Sequence, residues 1–246
     1  STEKSKIRSA GAHSSNKPGP TASLRMRKEN GNIITVPGGE RKVLLHTCCA
    51  PCSSAIVECL MKNGITPLIY YCNPNIYPEE EYLIRKNECS RYAESLGLEI
   101  VDADYDHTSW LEKMKGLENL PERGVRCLEC FRMRLLSAAR YAHEHGYHVI
   151  TTTLASSRWK NLDQINEAGE YAASFYDDVT WWDRNWRKNG LQERRNQLIR
   201  EYGFYNQQYC GCEFSMRTQD GPVSAKAGSG CQESALSDGL SEISRI

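Results

Sequence analysis

Short apolar runs that alternate with amphipathic segments are the feature that most constrains the fold of this chain. Five such runs occur, at residues 42–47, 67–72, 98–101, 148–153 and 179–182. The segments between them are long enough to form helices. Strands joined by helical crossovers form parallel sheets with helices on both faces. The sequence therefore predicts one α/β domain with a three-layer parallel sheet.

Capping residues indicate where the helices begin and end. Ser53 or Ser54 is expected to cap the first helix, which should end near Asn63, just before Gly64. A polar connection is expected between the third strand and a helix that opens at the Cys127/Cys130 pair. The other helices are expected at about residues 79–97, 162–175 and 191–202.

The two ends of the chain differ in composition from the middle. Residues 1–38 are rich in Ser, Gly, Pro, Lys and Arg, and residues 218–246 are rich in Ser and Gly without sustained periodicity. Such segments bury too little apolar surface to offset the entropy lost on ordering. We expect two disordered tails around a catalytic domain at 39–217. The basic N-terminal tail also fits an organellar transit peptide.

Cysteine content and charge limit the class of protein. Eleven cysteines occur in 246 residues, and seven of them fall in three tight clusters. The chain has no secretory apolar segment and no apolar run long enough to span a membrane, so we expect a cytoplasmic protein with reduced thiols and no membrane partner. The formal net charge of zero points to no polyanion partner by itself.

Two of the clusters predict a metal site. Cys48 and Cys49 follow the first strand directly, and Cys127 and Cys130 open a helix with CxxC spacing. That spacing puts two sulfurs on one side of a helical turn, where the helix N-terminus lowers the pKa of a thiol. Four thiolates fit either tetrahedral zinc or a [4Fe–4S] cluster. Adjacent cysteines are poor zinc knuckles, which favours iron–sulfur, and Cys52 is a possible additional ligand.

The third cluster, Cys210-Gly211-Cys212, is typical of a dithiol/disulfide switch. One intervening residue allows a tight disulfide that is easily reduced, and glycine gives the backbone the freedom to close it. The same residues could instead be further metal ligands or inert thiols.

Other residues near the strand ends carry weaker signals. Asp104 and Asp106 follow the third strand and are candidate proton donors or ligands of a second metal. His46, inside the first strand, is expected to be a buried core histidine. Residues 181–200 combine six Lys/Arg with three tryptophans, which suits either RNA contacts or a solvated helix beside core tryptophans.

Five motifs, in order, resemble the QueH family of epoxyqueuosine reductases. They are residues 46–53 (HTCCAPCS), 71–76 (YCNPNI), 126–130 (RCLEC), 151–154 (TTTL) and 209–212 (YCGC). The resemblance covers about residues 41–216 and neither tail. It implies a fold similar to the nucleotide α-hydrolase (PP-loop-like) sheet. No phosphate-loop motif is present, and the cysteines stand where that loop would lie.

The resemblance also implies the chemistry. Epoxyqueuosine at the wobble position of a tRNA would be reduced to queuosine with loss of water, the last step of queuosine biosynthesis. Cys48, Cys49, Cys127 and Cys130 would bind a [4Fe–4S] cluster, and Cys210 and Cys212 would form a redox-active disulfide. Some members carry Asp where this chain has Cys52, and the resemblance implies a second iron beside that position. The electron donor would be external.

Two other functions fit parts of the pattern. One is a tRNA thiolation enzyme on the same fold, against which the missing phosphate loop counts. The other is a zinc-stabilised RNA-binding module without catalysis. Thiolate-bound clusters absorb visible light near roughly 400 nm, whereas zinc proteins are colourless.

Overall fold

The computed structural model describes residues 33–216, and those from Ile34 onward belong to one compact unit. Residues 1–32 and 217–246, which make up most of the two expected tails, lie outside the described residues. Ile34 and Val36 are buried in the main core. Residues that pack in the core therefore begin before the expected boundary at residue 39, because the apolar side chains of Ile34 and Val36 are removed from water there.

A five-stranded, all-parallel sheet forms the middle layer, as the sequence predicts. Its order is β3-β2-β1-β4-β5. The strands are β1 Lys42–His46, β2 Thr66–Tyr71, β3 Ile100–Asp102, β4 Val149–Thr152 and β5 Thr180–Trp181. β1 and β4 are buried almost throughout, as strands covered on both faces must be.

Within residues 33–216, six α-helices cover the two faces of this sheet. They are α1 Ala50–Lys62, α2 Glu79–Ser95, α3 His107–Met114, α4 Val125–Glu144, α5 Leu162–Ala173 and α6 Leu191–Tyr202. α1 packs against α2 and α6, whereas α4 packs against α3 and α5. This division follows from right-handed crossovers that leave β1 towards one edge and β4 towards the other. None of the described helices is long and apolar enough to cross a membrane.

Two local expectations were wrong. α1 begins at Ala50 with Cys49 as its N-cap, so Ser53 and Ser54 are its fourth and fifth residues rather than its cap. Proline near the first position is pre-organised for a helix, which lets Pro51 start the turn early. The expected polar connection after β3 contains α3, which the side chain of Asp106 caps.

Candidate metal and redox site

The predicted cysteines lie where the order of the sheet reverses. The crossover after β1 runs towards β2 and the one after β4 runs towards β5, which opens a crevice at the carboxyl ends of these two neighbouring strands. Cys48 follows β1 and Thr153 follows β4. The Cys48 backbone N–H donates to Thr153 Oγ1 at 3.1 Å, and that hydroxyl lies 3.4 Å from Cys48 Sγ, to which it donates. The two strand ends are thus joined at the site itself.

His46 holds three strands together directly beneath the cysteines. Its Nε2 donates to the Cys72 carbonyl at 3.0 Å, and its Nδ1 lies 2.7 Å from Thr152 Oγ1. The first bond requires hydrogen on Nε2, so Nδ1 accepts from the threonine hydroxyl. Burial lowers the pKa of His46 to about 3. The expectation of a buried core histidine is confirmed, and this histidine is neutral.

Cys48, Cys49 and Cys52 bring three sulfurs to one point. Cys48 Sγ and Cys49 Sγ are 3.8 Å apart, and all three sulfurs lie within 4.8 Å of one another. Two thiolates on one tetrahedral ion at about 2.3 Å stand about 3.8 Å apart. The group therefore has the donor type and the spacing for a thiolate-bound metal, and Cys52 is part of it.

The pKa values of the three thiols are shifted in different directions. Hydrogen bonds from Cys49 and Cys52 lower the pKa of Cys48 well below its usual range. The bond to Cys48 raises the pKa of Cys52 to about 12, and burial raises that of Cys49. Gln207 Nε2 donates to Cys49 Sγ at 2.9 Å. Donors aimed at sulfur stabilise thiolates, and such hydrogen bonds tune thiolate-bound metals.

The CxxC pair is split between two environments. Cys127 lines the same cleft as Cys48, and its sulfur accepts a hydrogen bond from the Arg123 backbone N–H at 3.2 Å. Burial raises the pKa of Cys127, so the lowering expected from the helix N-terminus is outweighed. Cys130 is buried in a small apolar cluster with Trp110, Met114 and Cys212. Its place in the ligand set stays a prediction.

The Cys-Gly-Cys segment is similarly divided. Cys210 is exposed and lines a cleft of about 1100 Å³, into which Cys48, Cys52 and Cys127 also open. Cys212 is buried beside Cys130, and burial raises its pKa to about 12. Every described cysteine is a free thiol. One thiol of the segment thus faces the solvent side of the cleft and the other faces the protein interior.

A buried arginine fixes this segment. Arg85 donates to the carbonyls of Tyr209 and Cys210 at 3.2 and 3.3 Å, and the Tyr77 N–H donates to the Gly211 carbonyl at 2.9 Å. Gly211 has φ +106°, and a Cβ there would lie 2.8 Å from the Ile76 side chain. Only glycine fits this conformation and this close approach.

Asp104 and Asp106 do not line the cleft. The carboxylate of Asp106 accepts from the backbone N–H and the hydroxyl of Ser109, at 2.9 and 2.6 Å, so this side chain caps α3. Both aspartates are exposed. The site therefore gives them no contact with a group bound between the cysteines.

The tryptophans of residues 181–200 are core residues rather than an RNA-binding surface. Trp182 and Trp186 are buried, and the ring of Trp181 packs on Gly169. Arg187 and Arg195 from the same segment do line the cleft. Two of the basic residues of this segment therefore lie at the site, whereas its tryptophans do not.

Sequence reasoning missed several residues that contact the cysteines. Thr153 lies in a motif that the resemblance includes, so that signal was available. Gln207 and Arg123 carry no recognisable spacing, because only the fold brings their donors to Cys49 and Cys127. Lys160 also lines the cleft. Burial opposes its charge, but negative charge at Cys210 and Cys48 more than compensates and raises its pKa.

Comparison with known proteins places the chain in a family. A family model described as epoxyqueuosine reductase QueH matches residues 43–218. This chain belongs to the QueH family. A protein named epoxyqueuosine reductase QueH from Histophilus somni is 48% identical over 204 residues, which cover 80% of this chain and 84% of the relative.

Two further relatives carry the same name. The Haemophilus influenzae protein is 50% identical over 184 residues, which cover 75% of each chain. The Acinetobacter baylyi protein is 49% identical over 184 residues, 75% of this chain and 84% of the relative. The region matched by the QueH model contains every site residue described above, so the site belongs to the part of the chain that defines the family.

The tight fit of Gly211 generates a prediction. Gly211→Ala should push the Cys-Gly-Cys segment away from Ile76, because the new Cβ would lie too close to the Ile76 side chain. Such overpacking lowers the free energy needed to open the segment by about 1–3 kcal/mol. Cys212 should then react with iodoacetamide about 5- to 150-fold faster, as local opening becomes easier. Labelling of each cysteine is followed by mass spectrometry.

Gly203→Ala is the matched control for this variant. Gly203 also has a positive φ, of +63°, but a Cβ there would meet no atom within 4 Å. This variant should lose stability from backbone strain while Cys212 labelling stays at the wild-type rate. Equal labelling of Cys212 in the Gly211→Ala variant and the wild type would contradict the account of the segment.

Proposed function

We propose that this chain is an epoxyqueuosine reductase that acts on tRNA. The observation that carries the proposal is a cleft, in a QueH-family protein, that brings together two kinds of thiol. Cys48 and Cys52 line it and belong with the buried Cys49 to one group suited to a metal, and the separate exposed thiol of Cys210 lines the same cleft. Removing an epoxide oxygen needs a site that binds the oxygen and a source of two electrons. The cleft offers candidates for both.

The reaction balances with the residues of the Cys-Gly-Cys segment as reductant. The Cys210 and Cys212 thiols lose two electrons and two protons and form an S–S bond. The epoxide gains them, both C–O bonds break, the alkene forms and the oxygen leaves as water. An external reductant must restore the dithiol before the next turnover.

A [4Fe–4S] cluster bound by Cys48, Cys49, Cys127 and Cys130 would supply one-electron transfer and a Lewis acid for the oxygen. Cys52 would help to hold a second iron beside the cluster, since its sulfur lies within 4.8 Å of those of Cys48 and Cys49. The chain itself contributes hydrogen bonds to three of these sulfurs, from Thr153, Arg123 and Gln207. Those donors stabilise the thiolate form that binds metal.

Lys160 replaces Asp104 and Asp106 in this proposal as the proton donor. Its side chain lines the cleft beside the cysteines, whereas the two aspartates lie outside the cleft. An ammonium group held near Cys48 and Cys210 can donate to an oxygen that leaves between them. The chain thus has a proton source on the reacting side of the site.

The ligand set is tested by metal content. Replacing Cys48 or Cys49 with Ser should remove the iron and the absorption near roughly 400 nm of anaerobically purified protein. Cys130→Ala should do the same, and Cys52→Ala should leave the cluster band while lowering the total iron. Cys59→Ala, a core position of the same helix α1, is the control and should keep both.

Other metal results would change the assignment. If Cys52→Ala removes the cluster band and Cys130→Ala retains it, then Cys52 is the fourth ligand. A colourless wild-type protein that contains zinc would contradict the redox function and support an RNA-binding module.

The reaction is tested with the natural type of substrate. Cluster-replete, reduced protein is incubated with tRNA that carries epoxyqueuosine, and the nucleosides are analysed for queuosine. We expect conversion by the wild type and no turnover by Cys210→Ser, which should nevertheless keep the cluster absorption. Absence of queuosine with the wild type would refute the function, and loss of the absorption in Cys210→Ser would make Cys210 a ligand.

The role of Lys160 is tested by kcat. Lys160→Met should lower kcat about 10²- to 10⁴-fold, the usual contribution of a general acid, with little change in KM. Lys160→Arg keeps the charge but is a poor proton donor, so its kcat should also be low. Lys115→Met, an exposed position after α3, is the control. Full activity of Lys160→Arg would show that charge alone is needed.

A further inference from the structure

A large aromatic side chain at the mouth of the cleft, that of Trp159, is not packed in the core. Trp159 lines the cleft from the loop between β4 and α5, and 66% of its surface is exposed. Trp110, Trp182 and Trp186 are buried. Exposed tryptophans at the edge of a concave site are typical of binding surfaces, where their area contributes strongly to affinity. Among the described residues, no aromatic ring stacks on Trp159.

The loop that carries Trp159 is held in place. Arg123 Nε donates to the Trp159 carbonyl at 2.8 Å, and the Trp159 N–H donates to Ser157 Oγ at 3.3 Å. Arg187 Nη2 donates to the carbonyl of the next residue, Lys160, at 2.9 Å. The indole is therefore presented by a backbone with fixed contacts, so little entropy is lost when a ligand binds it.

The charge around the indole points to a polyanion. Of the cleft-lining residues that the structure describes, seven are Lys or Arg and two are Glu, although the whole chain has a formal net charge of zero. The Arg158 guanidinium lies over the Trp159 ring, with its Cζ 5.0 Å from the ring centroid. Positive charge that is concentrated in one cleft of a chain with no net charge attracts anionic ligands and is not needed to keep the protein soluble.

The combination of an indole, a guanidinium over its ring and further arginines fits single-stranded RNA. Unpaired bases stack on aromatic rings and on guanidinium planes, while Lys and Arg hold the phosphates between them. A phosphoprotein would use the charges but not the exposed ring. A regular duplex would offer neither face of its stacked bases. The wobble position of a tRNA lies in a single-stranded loop, so its neighbours are available for stacking.

We propose that Trp159 is a stacking platform for a base that flanks the modified nucleoside in the anticodon loop. Arg158 and Arg195, which line the cleft from two different segments of the chain, then contact the phosphates next to it. This inference rests on the proposed function, which supplies the RNA substrate. It makes Trp159 a substrate-positioning residue and gives Arg123 the role of fixing the loop.

The test uses cluster-replete protein and an unmodified anticodon stem–loop RNA. Binding is measured by fluorescence anisotropy of the labelled RNA. Trp159→Ala should weaken binding about 5- to 150-fold, the loss that one aromatic–base stack produces. Trp159→Phe should retain most of the affinity because a ring remains. Phe175→Ala removes an exposed aromatic side chain that does not line the cleft, so it should bind like the wild type.

A second measurement reports stacking directly. The RNA should quench part of the intrinsic tryptophan fluorescence of the wild type, and this quenching should disappear in Trp159→Phe while RNA is still bound. With epoxyqueuosine tRNA, Trp159→Ala should raise KM and leave kcat at saturating tRNA close to the wild-type value. The free energy of unfolding and the iron content should match the wild type, because the side chain is largely exposed.

The outcomes separate this inference from the proposed function. The stacking role would be overturned if Trp159→Ala bound RNA with wild-type affinity. It would also be overturned if Trp159→Phe lost as much affinity as Trp159→Ala and RNA did not quench the wild-type fluorescence. In either case, queuosine formation by the wild type would still support the proposed function. Failure of the wild type to form queuosine would refute the function, and the inference with it. Loss of affinity in Phe175→Ala equal to that of Trp159→Ala would also overturn the stacking role.

Discussion

The neutral imidazole of His46 joins the three central strands at the point where they end, and the site depends on that junction. One ring nitrogen bonds the residue after β2 and the other bonds the last residue of β4. The His46 side chain is fully buried, so the loss of either bond would leave a ring nitrogen unsatisfied at a cost of about 1–3 kcal/mol. Because β1 is fixed on both sides, the turn that follows it delivers Cys48 and Cys49 to one place.

The cleft then separates three tasks in space. The strand ends hold the group of sulfurs at its floor, and hydrogen bonds from Thr153 and Gln207 reach those sulfurs. The Cys-Gly-Cys segment is attached through Arg85 and presents Cys210 to the same space. The basic loop with Trp159 forms the mouth. Under the proposed function, this division would let a large nucleic acid bind at the rim while the chemistry proceeds at a small buried centre.

Much of the fold could be predicted from the sequence, because its cause is local. Alternating apolar and amphipathic segments require buried strands and covering helices, and all five strands and α6 lie at or within a residue or two of their expected positions. The errors occur where one residue outweighs the pattern. Pro51 starts α1 before the serines, and Asp106 caps the short helix α3 within a stretch whose composition suggested only a connection.

For the site, the sequence by itself determined which sulfurs are available and that the first pair follows a strand, since both facts are written in residue order and spacing. Only the tertiary structure decided that Cys52 joins that pair, that Cys130 and Cys212 share a buried cluster, and that Trp159 rather than Trp182 meets the solvent. Burial and the direction of a side chain depend on what other segments pack against it. No single segment contains that information, because the sheet brings together residues that are more than a hundred positions apart.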